Sequence, residues 1–223
     1  MEFDSFVLAA STAELSEEPA AREHADCIEF RLDLAVDGLD ALAGYDGELP
    51  LLVTNRVTWE GGESPDTEAR LDALEAAIEH PAVEAIDLEL AALENGEADR
   101  VLTHAQANDV RVVVSTHDFE TTPDAETMRV RLERAGEFGD VAKLAVTATD
   151  REDVLSLLSV THELTTAGEC VATMAMGEAG RHSRAVAPLY GSCIGYAPVS
   201  PARATAPGQY DLQTLRSLVE DLQ

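Results

Sequence analysis

Residues 139–148, GDVAKLAVTA, hold the only lysine of a 223-residue chain that carries fourteen arginines. Lys143 sits inside an apolar, β-branched run, where an ammonium ion is costly to bury. Desolvation disfavours the charged form of lysine, and the neutral amine is the nucleophile that forms Schiff bases with carbonyl compounds. Arginine, the main cation elsewhere in the sequence, cannot form an imine. Two readings stand side by side: a reactive amine held in a cavity mouth, or a lysine paired with a buried carboxylate. His117, in VVVSTHDFE, ends a neighbouring apolar run. It is the candidate general acid–base group, with a hydrogen-bonded core imidazole as the alternative. Asp118 reads as a capping or pairing group at the start of a loop.

A second set of charges could hold a substrate. CIEFRLD puts Glu29 and Arg31 two residues apart, on one face of a strand. They are either a mutual ion pair or a polar clamp for hydroxyl groups. TNRVTWEGG supplies Arg56 and then Glu60, beside Gly61 and Gly62, which read as a source of loop mobility. Glu60 either orients an imidazole or is a solvated charge. Arg184, in MGEAGRHSRAV, opens a helix and suits an anion clamp, whereas Arg181 reads as a surface residue. The Pro- and Gly-rich stretch APVSPARATAPGQYDL has the character of a lid and presents Thr205 and Gln209. The six histidines and three cysteines show neither HExxH nor CxxC spacing, so no metal is expected. No GxSxG elbow is present, which disfavours a serine hydrolase.

These side chains need elements to position them. Strand-length apolar runs occur at 6–11, 27–34, 51–56, 85–90, 110–119, 141–148, 170–177 and 192–197. Helical spacing lies between them: Leu71, Leu74 and Ile78; Met128, Leu132 and Ala135 behind Asp124 as cap; Val154, Leu157, Leu158 and Thr161. Leu212, Leu215, Val219 and Leu222 close the chain behind a cap at Asp211. Strands alternating with helices predict an α/β fold, a single (β/α)8 TIM barrel over residues 1–223, with an open doubly wound sheet as runner-up. The polar residues cluster at the C-terminal ends of the runs (Arg31, Arg56, His117, Lys143), where a barrel builds its active site. No glycine-rich dinucleotide or P-loop motif follows any strand. The chain is short for this fold and implies tight loops at the opposite face.

Composition narrows the partners. Forty-three acidic residues against 15 basic ones give a formal net charge of −28, and aromatics are only 4%. Such a surface repels phosphate backbones and anionic headgroups, so neither nucleic acid nor membrane is expected as a partner. It also fits adaptation to high salt. MEFDSFVLAA lacks a basic n-region, no run is long enough to span a bilayer, and the cysteines sit in or beside apolar runs. A reduced, cytoplasmic protein is expected.

Taken in order, EFR, TNRxxxEGG, STHDF, AKLAV, MxMGxxGxxSR and APGQ resemble type I 3-dehydroquinate dehydratases of the shikimate pathway. The resemblance reaches from Glu29 to Gln209. It implies a homodimeric (β/α)8 barrel without metal or organic cofactor, acting on 3-dehydroquinate. Lys143 would form the imine, with His117 as acid–base group and Glu60 as its partner carboxylate. Arg184 would bind the substrate carboxylate, with Glu29, Arg31, Arg56 and Gln209 around the hydroxyls and carboxylate. Met174 and Met176 would pack beside the lysine. Thr205 stands where the family generally has serine. Another Schiff-base barrel, such as a class I aldolase, and a non-catalytic metabolite-binding barrel are the competing readings. An anionic substrate meeting this acidic surface is repelled at long range in dilute buffer, but at molar salt the Debye length is only about 3 Å. Turnover is therefore expected to be poor in dilute buffer and to recover with added salt. A flat rate profile from near-zero to molar salt would contradict it.

Overall fold

The structure, a computed structural model, describes residues 1–199 and 209–223. Eight parallel strands form one sheet: β1 Val7–Thr12, β2 Cys27–Arg31, β3 Leu51–Thr54, β4 Val83–Glu89, β5 Arg111–Asp118, β6 Val141–Thr147, β7 Val171–Met176 and β8 Ile194–Pro198. They follow one another in sequence order from β7 back to β1, and β8 pairs with β1. The sheet thus curls into a (β/α)8 barrel with helices on its outer face. The eight predicted runs are the eight strands. Those starting at Cys27 and Leu51 end earlier than expected, at Arg31 and Thr54. After them the backbone turns out of the sheet, through Leu34 N–H to Arg31 O and through Asn55, to carry charged groups over the mouth.

Alternation sorts the side chains. Val141 and Ala145 belong to an interior cluster with Val7, Ala9, Cys27, Leu52, Ala85, Val113 and Ala172. Leu144 and Val146, of opposite parity, join the larger core between strands and helices. Period two therefore sends Lys143 into the barrel, as it does Glu29, Asp87, Ser115 and Tyr196 on their strands. The lower interior is apolar, and a charged layer rests on it.

The helices fall where spacing and caps place them. Asp124 accepts from Thr127 N–H at 2.8 Å to start Ala125–Gly136, and Asp211 accepts from Thr214 N–H at 3.0 Å to start Leu212–Leu222. Asp150 and Asp153 form a capping box at the head of Arg151–Ala167. The outer layer is thin in places: β1 is followed only by the short turns Leu15–Glu17 and Glu18–Ala21. The tight lower loops are present, and three residues suffice between Ala167 and Val171.

The seam between β7 and β8 closes differently from the ladders. Cys193 N–H donates to Val171 O at 2.8 Å, and the Ser192 hydroxyl accepts from Thr173 N–H at 3.0 Å. A side chain thus stands in for a strand carbonyl. Ser192→Ala would leave the buried Thr173 N–H without this acceptor, which costs about 1–3 kcal/mol. Denaturant unfolding in high salt should show that loss, and an unchanged midpoint would mean the seam does not rely on Ser192.

Candidate active site

The charged layer centres on Asp87, on β4 and fully buried. Its carboxylate accepts from Arg56 Nη2 at 2.5 Å, Ser115 Oγ at 2.7 Å and Lys143 Nζ at 2.9 Å. Burial alone would raise its pKa; Arg56, then Lys143 and the Ser115 hydroxyl outweigh that and hold it well below the usual carboxylate range. Two residues on, Glu89 faces Arg56 at 3.0 Å and Arg70 at 2.7 Å and also accepts from Val57 N–H. Arg56 is therefore clamped between two carboxylates. The lysine is both paired with a buried carboxylate and placed in the cavity, so the two readings of Lys143 are not exclusive.

Lys143 does not sit at the end of its strand, as its cluster with Arg31, Arg56 and His117 suggested. It is the third residue of β6, opposite Ser115 and Ala172 in the ladders. Its amine reaches the cavity because the next inward residue on β6 is the small Ala145, and it lies over the face of the Tyr196 ring.

His117 lies near the end of β5, and its Nδ1 is 2.8 Å from Glu60 Oε1. Burial, then the Arg56 and Lys143 charges, hold its pKa well below 6.5, so the ring is neutral. Glu60 is pushed up to about 7, first by burial, against the pull of Arg56, with Glu89 and Asp87 adding to the rise. With Glu60 ionised, Nδ1–H donates to it and the Nε2 lone pair is left for the cavity. Glu60 is thus the orienting carboxylate, and its half-turn Thr58–Glu60 is fixed by two glycines. Gly61 is left-handed (φ 79°) and lies against Phe119, which stacks on His117 with planes 7° apart. A Cβ on Gly62 would meet the Arg56 carbonyl at 2.0 Å. The pair read as a source of mobility has steric work instead.

Glu29 and Arg31 are not a mutual pair. Glu29 accepts from Ser11 at 2.5 Å and Thr54 at 3.1 Å, whereas Arg31 is held by Asp33 at 2.7 Å. Two residues along a strand, the longer arginine leans up to the loop instead. Arg184 is buried, and burial lowers its pKa to about 10. It has no carboxylate partner among the described residues, and its Nε is without a hydrogen-bond partner there. Arg31, Arg56 and Lys143 are all compensated, so Arg184 is the cation that an anionic ligand would satisfy. Arg181, read as surface, is half-buried with its guanidinium 4.3 Å above the Tyr210 ring. Asp118 binds Thr121 N–H and Arg131, the loop-start role expected of it.

One cavity, partly open to solvent, is lined by Glu29, Arg31, Arg56, Glu60, His117, Lys143, Arg184 and Gln209, with Met174 and Met176 packed on its wall. Thr205 lies outside the described residues. Asp87, Glu89, Ser115 and Tyr196 were missed from the sequence. The first two had a signal in AIDLEL, where acids two apart interrupt an apolar run as Glu29 and Arg31 do.

A profile of the family described as type I 3-dehydroquinase matches residues 6–223. The chain belongs to that family. Among similar proteins, the 3-dehydroquinate dehydratase of Haloarcula marismortui is 62% identical over all of this chain and 99% of its own. That of Halobacterium salinarum is 51% identical with both chains fully covered. The crystal structure of 3-dehydroquinate dehydratase from Geobacillus kaustophilus superposes with a TM-score of 0.87 at 31% identity, covering 99% of this chain and 92% of that one.

As pH falls through about 7, Glu60 of this type I 3-dehydroquinase takes up a proton and becomes a donor to Nδ1, which moves the imidazole hydrogen to Nε2. Carbon-13 NMR of the Glu60 carboxyl should give a midpoint near 7. A midpoint in the ordinary carboxylate range of roughly 4–5 would refute that environment.

Proposed function

We propose that this type I 3-dehydroquinase converts 3-dehydroquinate to 3-dehydroshikimate and water through an imine at Lys143. The observation that carries the reading is the single lysine with its Nζ at the cavity wall, in the same cavity as a neutral imidazole and an arginine that has no carboxylate partner among the described residues.

The Lys143 amine, having given a proton to His117 Nε2, attacks the ketone carbon; the carbonyl π pair moves to oxygen, which takes one proton from the added nitrogen and one back from His117 and leaves as water. The product is a C=N bond whose nitrogen carries one hydrogen and the positive charge, compensated by Asp87. This iminium is a far better electron sink than a ketone. His117 Nε2 takes the C2 proton, and the C–H electron pair forms the enamine. The enamine pair then expels the C1 hydroxyl, which leaves as water with the proton from His117. Addition of water to the iminium frees the enone and the amine. Arg184 holds the substrate carboxylate with its fork and Glu29, Arg31, Arg56 and Gln209 surround the polar groups, which is catalysis by positioning. Every step is carried by side chains of this chain.

The reading extends to the whole molecule: one barrel domain over residues 1–223, a homodimer, in the cytoplasm of a salt-adapted cell. The halophilic sources of the relatives and the net charge of −28 support the last part. Val130 and Leu155, 50% and 64% exposed, are apolar side chains on the neighbouring outer helices Ala125–Gly136 and Arg151–Ala167 that a second copy could cover.

Borohydride reduction in high salt with 3-dehydroquinate tests the chemistry. The expected result is a stable added mass on the Lys143 peptide, with enone absorbance rising in an unreduced control. An adduct without enone would indicate a binder or another Schiff-base enzyme, and neither signal in folded protein would leave Lys143 a structural ion-pair residue.

A further inference from the structure

Lys143 Nζ lies 4.3 Å from the centroid of the Tyr196 ring, over its face. Tyr196 is on β8, is 4% exposed and lines the same cavity. Its hydroxyl has no hydrogen-bond partner among the described residues, although a buried tyrosine ordinarily finds one. Burial pushes its pKa well above 10, with Glu29 and Asp87 adding to the rise, so the ring stays a neutral phenol. What this side chain gives to the site is thus its π face and not its polar end.

The reaction changes what the nitrogen can offer its neighbours. An ammonium has three N–H donors, of which one serves Asp87. After condensation with a ketone and loss of water, the protonated imine keeps one N–H, and its positive charge spreads onto the carbon. A carboxylate bonded through N–H directions follows such a change poorly. A ring face makes no demand on donor direction and attracts a delocalised cation through its quadrupole. The site is buried, where that attraction is strongest.

We propose that Tyr196 is a further catalytic residue, its ring face stabilising the protonated imine at Lys143. The inference rests on the Schiff-base reading above. The ring raises the population of the iminium and so the rate of the C–H cleavage that depends on it.

The test replaces Tyr196 by phenylalanine and then by phenylalanines bearing one, two and three ring fluorines, which withdraw π density with little change of shape. Each variant is assayed in high salt for kcat, KM, borohydride-trappable adduct and thermal midpoint. Across the series kcat and trapped adduct should fall stepwise, by about 10- to 30-fold in total, with KM and midpoint nearly constant. Tyr196→Leu, which has no π face, should fall at least as far. A flat response to fluorination in protein that still turns over would overturn the role of Tyr196 and leave the Schiff-base reading intact. Absence of adduct and turnover in the unsubstituted chain would overturn both.

Discussion

A carboxylate buried in a barrel interior is untenable without positive partners, and Asp87 organises the site because it has two. Arg56 comes to it from the loop that follows β3 and Lys143 from β6, and Ser115 adds a hydroxyl. Glu89 then shares Arg56 and draws in Arg70 from the helix Glu68–Ile78. Each charge is fixed by the next, so Lys143 Nζ, the Arg56 fork and the loop that carries Glu60 hold set positions before any ligand enters. Such a layer is not a source of stability. Desolvating these ions costs about as much as their attraction returns, and an apolar layer of the same volume would pack as well. Its value is geometric: removing any one partner would leave the others uncompensated.

The apolar floor and the charged layer explain why the fold was legible from the residues. Strand periodicity, eight apolar runs and the aspartate caps at 124 and 211 are local signals, and the local physics was enough. Most of the site was legible too, because charges in apolar runs are costly and therefore informative. Two kinds of feature escaped. Asp87 satisfies cations 31 and 56 residues away and Glu89 one 19 residues away, and separation in sequence hides such pairings. The Glu29–Arg31 pairing failed for the opposite reason. Adjacent positions on one strand face suggested contact, but Ser11 and Thr54 on flanking strands and Asp33 in the following turn were nearer in the right direction.

Outside the barrel the acid excess shapes the ion pairs. Arg100 bridges Asp72 and Glu75, Arg111 bridges Glu2 and Asp140, and Arg134 bridges Glu94 and Glu137. With far fewer cations than anions, the planar fork of arginine lets one cation serve two carboxylates, which a lysine does less well. These pairs are exposed, individually weak and screened by salt, so they soften self-repulsion more than they bind the fold together. The same preference for arginine that suits the surface leaves the interior amine chemically alone.

That solitude has a consequence for covalent damage. Reducing sugars and metabolic aldehydes attack amines, and a protein studded with lysines dilutes such attack over its surface. Here the one side-chain amine is 5% exposed at the bottom of the cavity. Adventitious carbonyl compounds are thus either excluded by the shape of the cavity mouth or delivered to the nitrogen on which turnover depends. Among side-chain amines, the vulnerability of the molecule to this chemistry is concentrated behind a single opening.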